Sequence, residues 1–530
     1  MCGILAIFSK IPRHFDSTPK ELSKLHRRGP DMQSFWSNGD TVWLGHTRLA
    51  IVGPDSGPQP IITDTWVVII NGEIYNGSGL TDCYCVPDLL NEYSTRAPLH
   101  MDGIFSFVAY NKETGEIIVA RDAIGVTPLY IGLHDNTLCF SSLLSAMDTR
   151  YQVRYVKPGH IASFTINETP TFHSWNPAYN PWSDLSLTEP IDLRLLNAMF
   201  QSVEKRLMGQ VPWGVLLSGG LDSTIVASIA SKIASTTRPD YPVVHTFCIG
   251  LKDSPDIHWA EMVSKELGTC HTSLEYTIEE GLAAIPEVIG AVETYDVTTI
   301  RASVPMWLMG RYLKRRGIKM VLSGEGSDEL FAGYLYNLYC PSEREMVNEC
   351  QRKMEQLHAY DCARANKSLG DFGVETRVPF LDKAVVDFAM NELHPRYKLS
   401  GTHPSGKRAE KWYLREVFGN IIPKCVLNRT KAQFSDAVGS KWIDELKSKA
   451  LSMNKGNKEC VSNEREWYKK LFDTRFPHVG ASDTVLYTES SIACSSSVAS
   501  HWHDKFQNNL DPSGDAVAKA INITEKSISV

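Results

Sequence analysis

VLLSGGLDST, residues 215–224, joins three kinds of local structure in one short stretch. Val215, Leu216 and Leu217 form an apolar run of the kind a buried parallel strand needs. Ser218, Gly219 and Gly220 follow as a tight turn. From Asp222 onward the spacing of Ile225, Val226, Ile229, Ala230 and Ile233 predicts an amphipathic helix. Adjacent glycines let backbone N–H groups converge with no Cβ in the way, and the helix behind them aims its positive end at the same point. The product is an anion cradle suited to phosphate. No Lys follows the glycines, so this is not a Walker A loop. The Ser218 and Ser223 hydroxyls supply donors instead, and Asp222 is placed to share Mg2+ with phosphate oxygens.

Downstream, strand-like runs at 243–250, 270–276 and 318–322 alternate with helical stretches at 257–267, 278–291 and 304–315. That alternation predicts a doubly wound parallel sheet, whose ligands bind beyond the carboxyl ends of the strands. A second glycine-containing loop, Ser323-Gly324-Glu325-Gly326-Ser327-Asp328-Glu329, falls at such an end. The string GTHPSGK at 401–407 fits GxxxxGK but is followed by Arg408, and it is read as a loop ahead of a helix at 409–417.

At the other end of the chain, Cys2 directly follows Met1. With Met1 removed, Cys2 would carry both a thiol and an α-amine. A reference α-amine pKa of about 7.7–8.0 suits it to serve as base for its own side chain. Arg28-Gly29-Pro30-Asp31, His46 through Val52, Asn71-Gly72-Glu73-Ile74-Tyr75-Asn76, Asp102 through Phe105 and Ala120-Arg121-Asp122 follow in order. A net charge of −7 gives no nucleic-acid footprint. No apolar run is long enough to span a membrane. The N-terminus has no basic region or small-residue cleavage site of a secretory signal, and twelve cysteines are scattered without CxxC pairs. A cytosolic protein with reduced thiols and no structural zinc is expected.

The first set of strings resembles the class II glutamine amidotransferase domain of the N-terminal-nucleophile hydrolases. SGGLDS resembles the pyrophosphate loop of the ATP pyrophosphatase family. Adding residues 293–301, 375–382 and 429–436, the chain resembles the glutamine-hydrolysing (B type) asparagine synthetases over nearly its whole length. The resemblance implies a two-domain α/β protein: an N-terminal αββα sandwich and a C-terminal doubly wound parallel sheet. It implies Cys2 as nucleophile, with the Asn71 side chain and the Gly72 N–H as oxyanion hole. Glutamine would be held by Arg48, Leu49, Ala50, Ile51, Val52, Asn71, Gly72, Glu73 and Asp82. ATP would be held by Leu217, Ser218, Gly219, Gly220, Asp222, Ser223, Ile249, Ser323, Gly324 and Lys431. Mg2+ accompanying ATP would lie at Asp222 and Asp328. Thr298, Thr299, Arg301 and Glu325 would meet aspartate or its adenylate, with Glu325 also deprotonating the attacking ammonia. Partners are then the small molecules glutamine, aspartate and ATP, with a homodimer as a compatible assembly and an internal ammonia path near Arg28.

Two rivals share these motifs: an adenylating amidotransferase with another acceptor acid, and a synthetase fed only by free ammonia. Between NGEIYN and Asp82-Cys83 this chain has only GSGLT, shorter than the family and without the helix found there. The proline-bearing stretch 176–190 marks the domain boundary. The expected division is 1–185 for the amidotransferase domain, 190–455 for the ATP-binding domain and 456–530 for a divergent extension.

Overall fold

The computed structural model describes residues 1–13, 15, 18–55, 57–176, 193–237, 243–399, 410–427, 429, 434, 438–454, 461–486, 496–507 and 517. The first unit holds β1 (Gly3–Ser9), β2 (Met32–Ser37), β3 (Val42–Arg48), β4 (Ile61–Ile62), β5 (Trp66–Ile74) and β6 (Gly103–Asn111). It continues with β7 (Glu116–Arg121), β8 (Tyr130–His134), β9 (Thr137–Ser141), β10 (Gln152–Tyr155), β11 (His160–Thr165) and β12 (His173–Ser174). These form two six-stranded sheets, ordered β10-β8-β9-β1-β3-β2 and β12-β11-β7-β6-β5-β4. Every pairing in them is antiparallel.

Alternation along β1 explains the layering. Ile4, Ala6 and Phe8 point between the sheets, where they meet Leu44, Val67, Ile69 and Val108. Leu5 and Ile7 point the other way, to Leu22, Leu25 and Trp43. Both faces are covered, so all seven residues of β1 are buried. Helix α1 (Thr18–Ser23) flanks one sheet, and α2 (Val86–Tyr93) covers the other through Val86 and Leu90 on Ile70 and Phe107. This is the four-layer sandwich. Asn71 and Gly72 do not make a hairpin turn: they lie inside β5, opposite Ser106 and Phe105 of β6.

The second unit carries a five-stranded parallel sheet: β13 (Trp213–Leu216), β14 (His245–Gly250), β15 (Cys270–Glu275), β16 (Met320–Leu322) and β17 (Glu375–Arg377), ordered β15-β14-β13-β16-β17. One face packs on α3 (Leu193–Arg206), α4 (Leu221–Thr237) and α5 (Pro255–Leu267), through Met199, Val203, Ile225, Ile229 and Val263. The other packs on α6 (Ile278–Val292) and α7 (Val297–Arg315), through Ile285, Ile289, Ile300 and Val304. Each such apolar side chain contributes about 1.5–3 kcal/mol by leaving water.

Strand order reverses between β13 and β16, and an open α/β sheet forms its ligand crevice at such a switch point. The loops after these two strands are the two glycine-containing loops. Helix α7 starts earlier than the expected 304 because Asp296 caps it, its carboxylate accepting from the Thr299 N–H at 2.9 Å. Pro305 lies inside this helix rather than at its start. Strand β17 was not foreseen. The described part of 456–530 is integrated: Tyr468 and Phe472 of helix Val461–Arg475 join the core around α6 and α7. No helix among the described residues is long and apolar enough to cross a membrane.

Candidate active sites

Cys2 stands at the mouth of β1, half-buried, its Sγ 3.9 Å from the Leu49 carbonyl. Burial pushes its thiol up, while the N-terminal ammonium beside it pulls the other way. Buried Arg28 donates Nε–H to the Cys2 carbonyl at 3.0 Å and Nη2–H to Asn366 Oδ1 at 2.9 Å, fixing this end of the strand. Asn71 is fully buried, yet neither its Oδ1 nor its Nδ2 has a hydrogen-bond partner among the described residues. An unpaired buried amide costs about 1–3 kcal/mol, so a donor held idle here is poised for a ligand atom. At Gly72, φ is +155° and an added Cβ would lie 2.0 Å from the Ile104 carbonyl oxygen, so only glycine fits.

The glutamine-side residues are already engaged. Arg48 Nη2 donates to the carbonyls of Gly53 at 2.7 Å and Val52 at 3.2 Å. The Ala50 N–H donates to Asp31 at 2.7 Å, and Leu49, Ala50 and Ile51 are buried, so 48–52 is a tied loop. Glu73 pairs with Arg377 at 2.9 Å. Burial pushes the Glu73 carboxyl well up, aided by neighbouring Glu375 against the pull of Arg377. Asp82 turns back onto β5 and accepts from the Ile74 N–H at 2.8 Å, with the Cys83 thiol 3.3 Å from the same oxygen. Burial raises its carboxyl too.

In the second unit, the Ser218 N–H donates to Ser223 Oγ at 3.2 Å and the Gly220 N–H to Ser218 Oγ at 3.3 Å. Gly219 has φ +68°, and Trp259 fills the space a Cβ would need. Across the switch point a Cβ on Gly324 would lie 2.9 Å from Asp222 Cβ, so the two loops touch. Asp222, at the start of α4, accepts from Ser327 at 2.6 Å. Lys411, almost wholly buried, sets its ammonium between Asp222 at 2.5 Å and Asp328 at 2.6 Å. Among the described residues no group of three or more His, Cys, Asp or Glu side chains could hold a metal unaided. Two hard carboxylates meeting at one point do suit Mg2+ that arrives with phosphate oxygens.

Ser323 N–H donates to the Arg377 carbonyl at 2.9 Å, and Glu325 pairs with Arg364 at 2.6 Å. The hydroxyls of Thr298 and Thr299 each donate to Asp296 at 2.8 Å. Arg301 is buried against Glu464 at 2.5 Å. Leu217 follows β13 with its N–H on the Phe247 carbonyl at 2.8 Å, and Ile249 lies near the end of β14. Lys431 and the 401–408 string lie outside the described residues.

The units meet through shared apolar packing, such as Leu49, Ile51 and Val126 in one cluster with Leu195 and Met199, and through polar contacts. Strand β17 reaches the first unit with Glu375, which pairs with the Met1 ammonium at 3.3 Å, and with Arg377. Lys367 donates to Tyr130 OH at 2.6 Å, to Glu293 at 2.8 Å and to the Val292 carbonyl at 3.1 Å. A cavity of about 30 Å³ lies between the units, lined by Tyr130, Tyr155, Glu293, His358 and Lys367 among others. Sequence reasoning missed Lys411 and Arg364, and it used Glu375 and Arg377 only as part of the 375–382 string, without giving either a role. None sits in a glycine loop or an apolar pattern that would flag it.

The glutamine amidotransferase domain family matches residues 1–172, and the asparagine synthase family matches 194–348 and 339–503. The chain is 42% identical to asparagine synthetase [glutamine-hydrolyzing] 1 of Arabidopsis thaliana, covering 97% of this chain and 93% of that one. The same identity and coverages hold for the glutamine-hydrolyzing asparagine synthetase of Zea mays. A probable asparagine synthetase of Dictyostelium discoideum is 39% identical, covering 99% of this chain and all of that one. With Cys2 at the end of a buried strand and two paired glycine loops at the sheet's switch point in one chain, and these matches along nearly all of its length, the chain belongs to the glutamine-hydrolysing asparagine synthetase family.

Proposed function

We propose that this protein converts ATP, L-aspartate, L-glutamine and water into L-asparagine, L-glutamate, AMP and diphosphate. The observation that carries the reading is β17. Its backbone holds the first residue of the 323–329 loop, and its side chains hold Glu73 and the chain's amino end. One strand thus serves both sites. In this reading 1–185 is the glutaminase unit, 190–455 the synthetase unit, and 456–530 an extension whose helix Val461–Arg475 braces α7.

With Met1 removed, the Cys2 α-amine takes the thiol proton and Sγ attacks the glutamine side-chain carbonyl carbon. Asn71 and the Gly72 N–H stabilise the oxyanion. The proton passes to the departing ammonia, and water then hydrolyses the thioester. Arg48 meets the substrate carboxylate with 49–52 beneath it. Glu73 and Asp82 meet its ammonium, their positions set by Arg377 and the Ile74 N–H. Ammonia passes inward along the unit interface.

In the crevice, backbone at Leu217 and Ile249 holds adenine, Ser323 and Gly324 contact the nucleotide, and Ser218, Gly219, Gly220 and Ser223 hold the departing diphosphate. Asp222 and Asp328 would hold Mg2+, which neutralises phosphate charge when bound with ATP. Lys431 adds positive charge there. The aspartate β-carboxylate attacks the α-phosphorus, diphosphate leaves, and ammonia attacks the resulting acyl-adenylate. Glu325 accepts the proton as AMP departs. Thr298 and Thr299 contact the acceptor; Arg301 reaches it only by giving up Glu464. We place the protein in the cytosol, which fits the ten unpaired cysteines among the described residues. A homodimer is the assembly proposed, and sedimentation reports it.

The test is product analysis with ATP, Mg2+ and aspartate, using glutamine or ammonium, beside Cys2→Ala. Asparagine, AMP and diphosphate are expected from both nitrogen sources, with Cys2→Ala losing only the glutamine reaction. Diphosphate release with another acid in place of aspartate would overturn the acceptor. Activity with ammonium alone would assign the shortened 77–81 bridge a disabling effect.

A further inference from the structure

We infer that Arg429 is a positioning residue of the diphosphate cradle: it clamps the Ser218 carbonyl and so turns the Gly219 N–H into the site. This rests on the assignment of residues 218–223 to the ATP phosphates. Arg429 donates Nη1–H to the Ser218 carbonyl at 3.0 Å and Nη2–H to Asp256 Oδ1 at 2.6 Å. Its guanidinium lies over the Trp259 ring, 5.1 Å from the centroid. Both members of the Arg429–Asp256 pair are buried. Asp256 belongs to the first turn of α5, and Trp259 stands one turn on, so a single helix end carries both supports. Trp259 also backs Gly219 directly, its Cβ 2.6 Å from where a Gly219 Cβ would lie. The Arg429 backbone is itself held, its carbonyl accepting from Arg415 Nη2 at 3.0 Å.

The consequence follows from peptide geometry. A trans peptide unit is planar, with its C=O and the next N–H on opposite sides. Fixing the Ser218 oxygen toward Arg429 fixes the Gly219 N–H the other way. Gly219 is a buried residue and its N–H makes no hydrogen bond among the described residues, while the amides of Ser218 and Gly220 are engaged by serine hydroxyls. An unpaired N–H in a glycine turn is what an anion cradle presents. Asp256 neutralises Arg429, so the guanidinium acts on the loop rather than as a free phosphate ligand.

The test uses full-length Arg429→Ala and Arg429→Lys. For each, kcat and KM for ATP are measured in ammonium-driven asparagine synthesis. Glutamine hydrolysis without ATP serves as the control for folding. Arg429→Ala should lower synthetase kcat by about 10–100-fold, as expected for a misaimed oxyanion donor. KM for aspartate and glutamine hydrolysis should stay within about twofold. Arg429→Lys, with one point charge and no fork, should fall between. Added guanidinium at millimolar concentration should restore part of the Arg429→Ala rate. Synthesis at the unmutated rate in both variants would overturn the clamp. So would parallel loss of both activities without guanidinium rescue, which would mark a merely structural role. If the unmutated protein releases no diphosphate from ATP and aspartate, the cradle assignment itself fails, independently of Arg429.

Discussion

Replacing Lys367 by methionine tests how firmly the two units are joined. The Lys367 and Glu293 side chains are 3% and 0% exposed, and their charges lie 2.8 Å apart. Burial alone would lower the Lys367 pKa, but Glu293 and Tyr130 hold it above its ordinary value, so the ammonium is charged throughout the working range. Methionine keeps the stem's volume and removes the bonds to Tyr130, Glu293 and Val292. Glu293 is then left with the Ser145 N–H at 3.0 Å as its remaining described donor. Breaking one side of a buried ion pair costs about 3–5 kcal/mol. The double variant Lys367→Met/Glu293→Gln removes both charges of this pair and should be more stable than the sum of the single losses implies, by about 3 kcal/mol. Urea unfolding followed by both tryptophan fluorescence and far-ultraviolet dichroism measures this. The two probes should separate in Lys367→Met, because Tyr130 belongs to one unit and Lys367 to the other. Glutamine-driven synthesis should fall further than ammonium-driven synthesis in the same variant. A Lys367→Met cost below about 1 kcal/mol, or strict additivity in the double variant, would refute the reasoning.

Gly72→Ala drives a Cβ to 2.0 Å from the Ile104 oxygen, so β5 must move at the oxyanion hole; glutamine hydrolysis should be lost while ammonium-driven synthesis persists, and retention of both would count against the site. Lys411→Met removes the ammonium from between Asp222 and Asp328; diphosphate release should fall by about 100-fold or more with glutamine hydrolysis unchanged, and an unaltered rate would argue against that crevice. His46 is buried, and desolvation aided by Arg48 lowers its pKa to about 3. The folded state thus refuses a proton that the unfolded chain takes up near pH ~6.5. The stability from a neutral His46 is present above that pH and lost as pH falls toward 3. Thermal midpoints of His46→Gln should therefore gain on the unmutated protein as pH drops from about 6.5 to 4, and a pH-independent difference would sink this account.

The parts of the fold legible in the sequence are those where periodicity and special backbone coincide. Strand β13, the glycine turn and α4 were readable because an apolar run, two glycines and a helical stripe follow one another without interruption. The start of α7 was not. Its first turns do place Val297, Ile300 and Val304 on one face, but the polar Thr298, Thr299 and Arg301 lie between them, and Pro305 mimics a helix start. Strand β17 was invisible for a different reason. Its residues Glu375, Thr376 and Arg377 are all buried although all are polar, because their partners come from distant chain: Met1, Glu73 and Ala365. Local pattern cannot report such pairing. The same holds for Lys411, which is far in sequence from both carboxylates it joins. For the candidate site residues, the strings located the two glycine loops and the β5 strand. They did not show that Glu73, Asp82, Arg301 and Glu325 would each already be tied to a protein partner.

The polar strand at the sheet's edge bears on how separable the halves are. An amidotransferase unit cut away at the boundary would lose the carboxylate that faces its own first residue and the guanidinium that faces Glu73. The remaining unit would keep Arg377 on Glu375 and on the Arg206 and Met208 carbonyls, but would lose the partners that the first unit supplies. The two halves are therefore not interchangeable modules. A chimera that exchanges one half with a relative would need the three residues of β17 to travel with the amidotransferase they face, not with the sheet in which they are built.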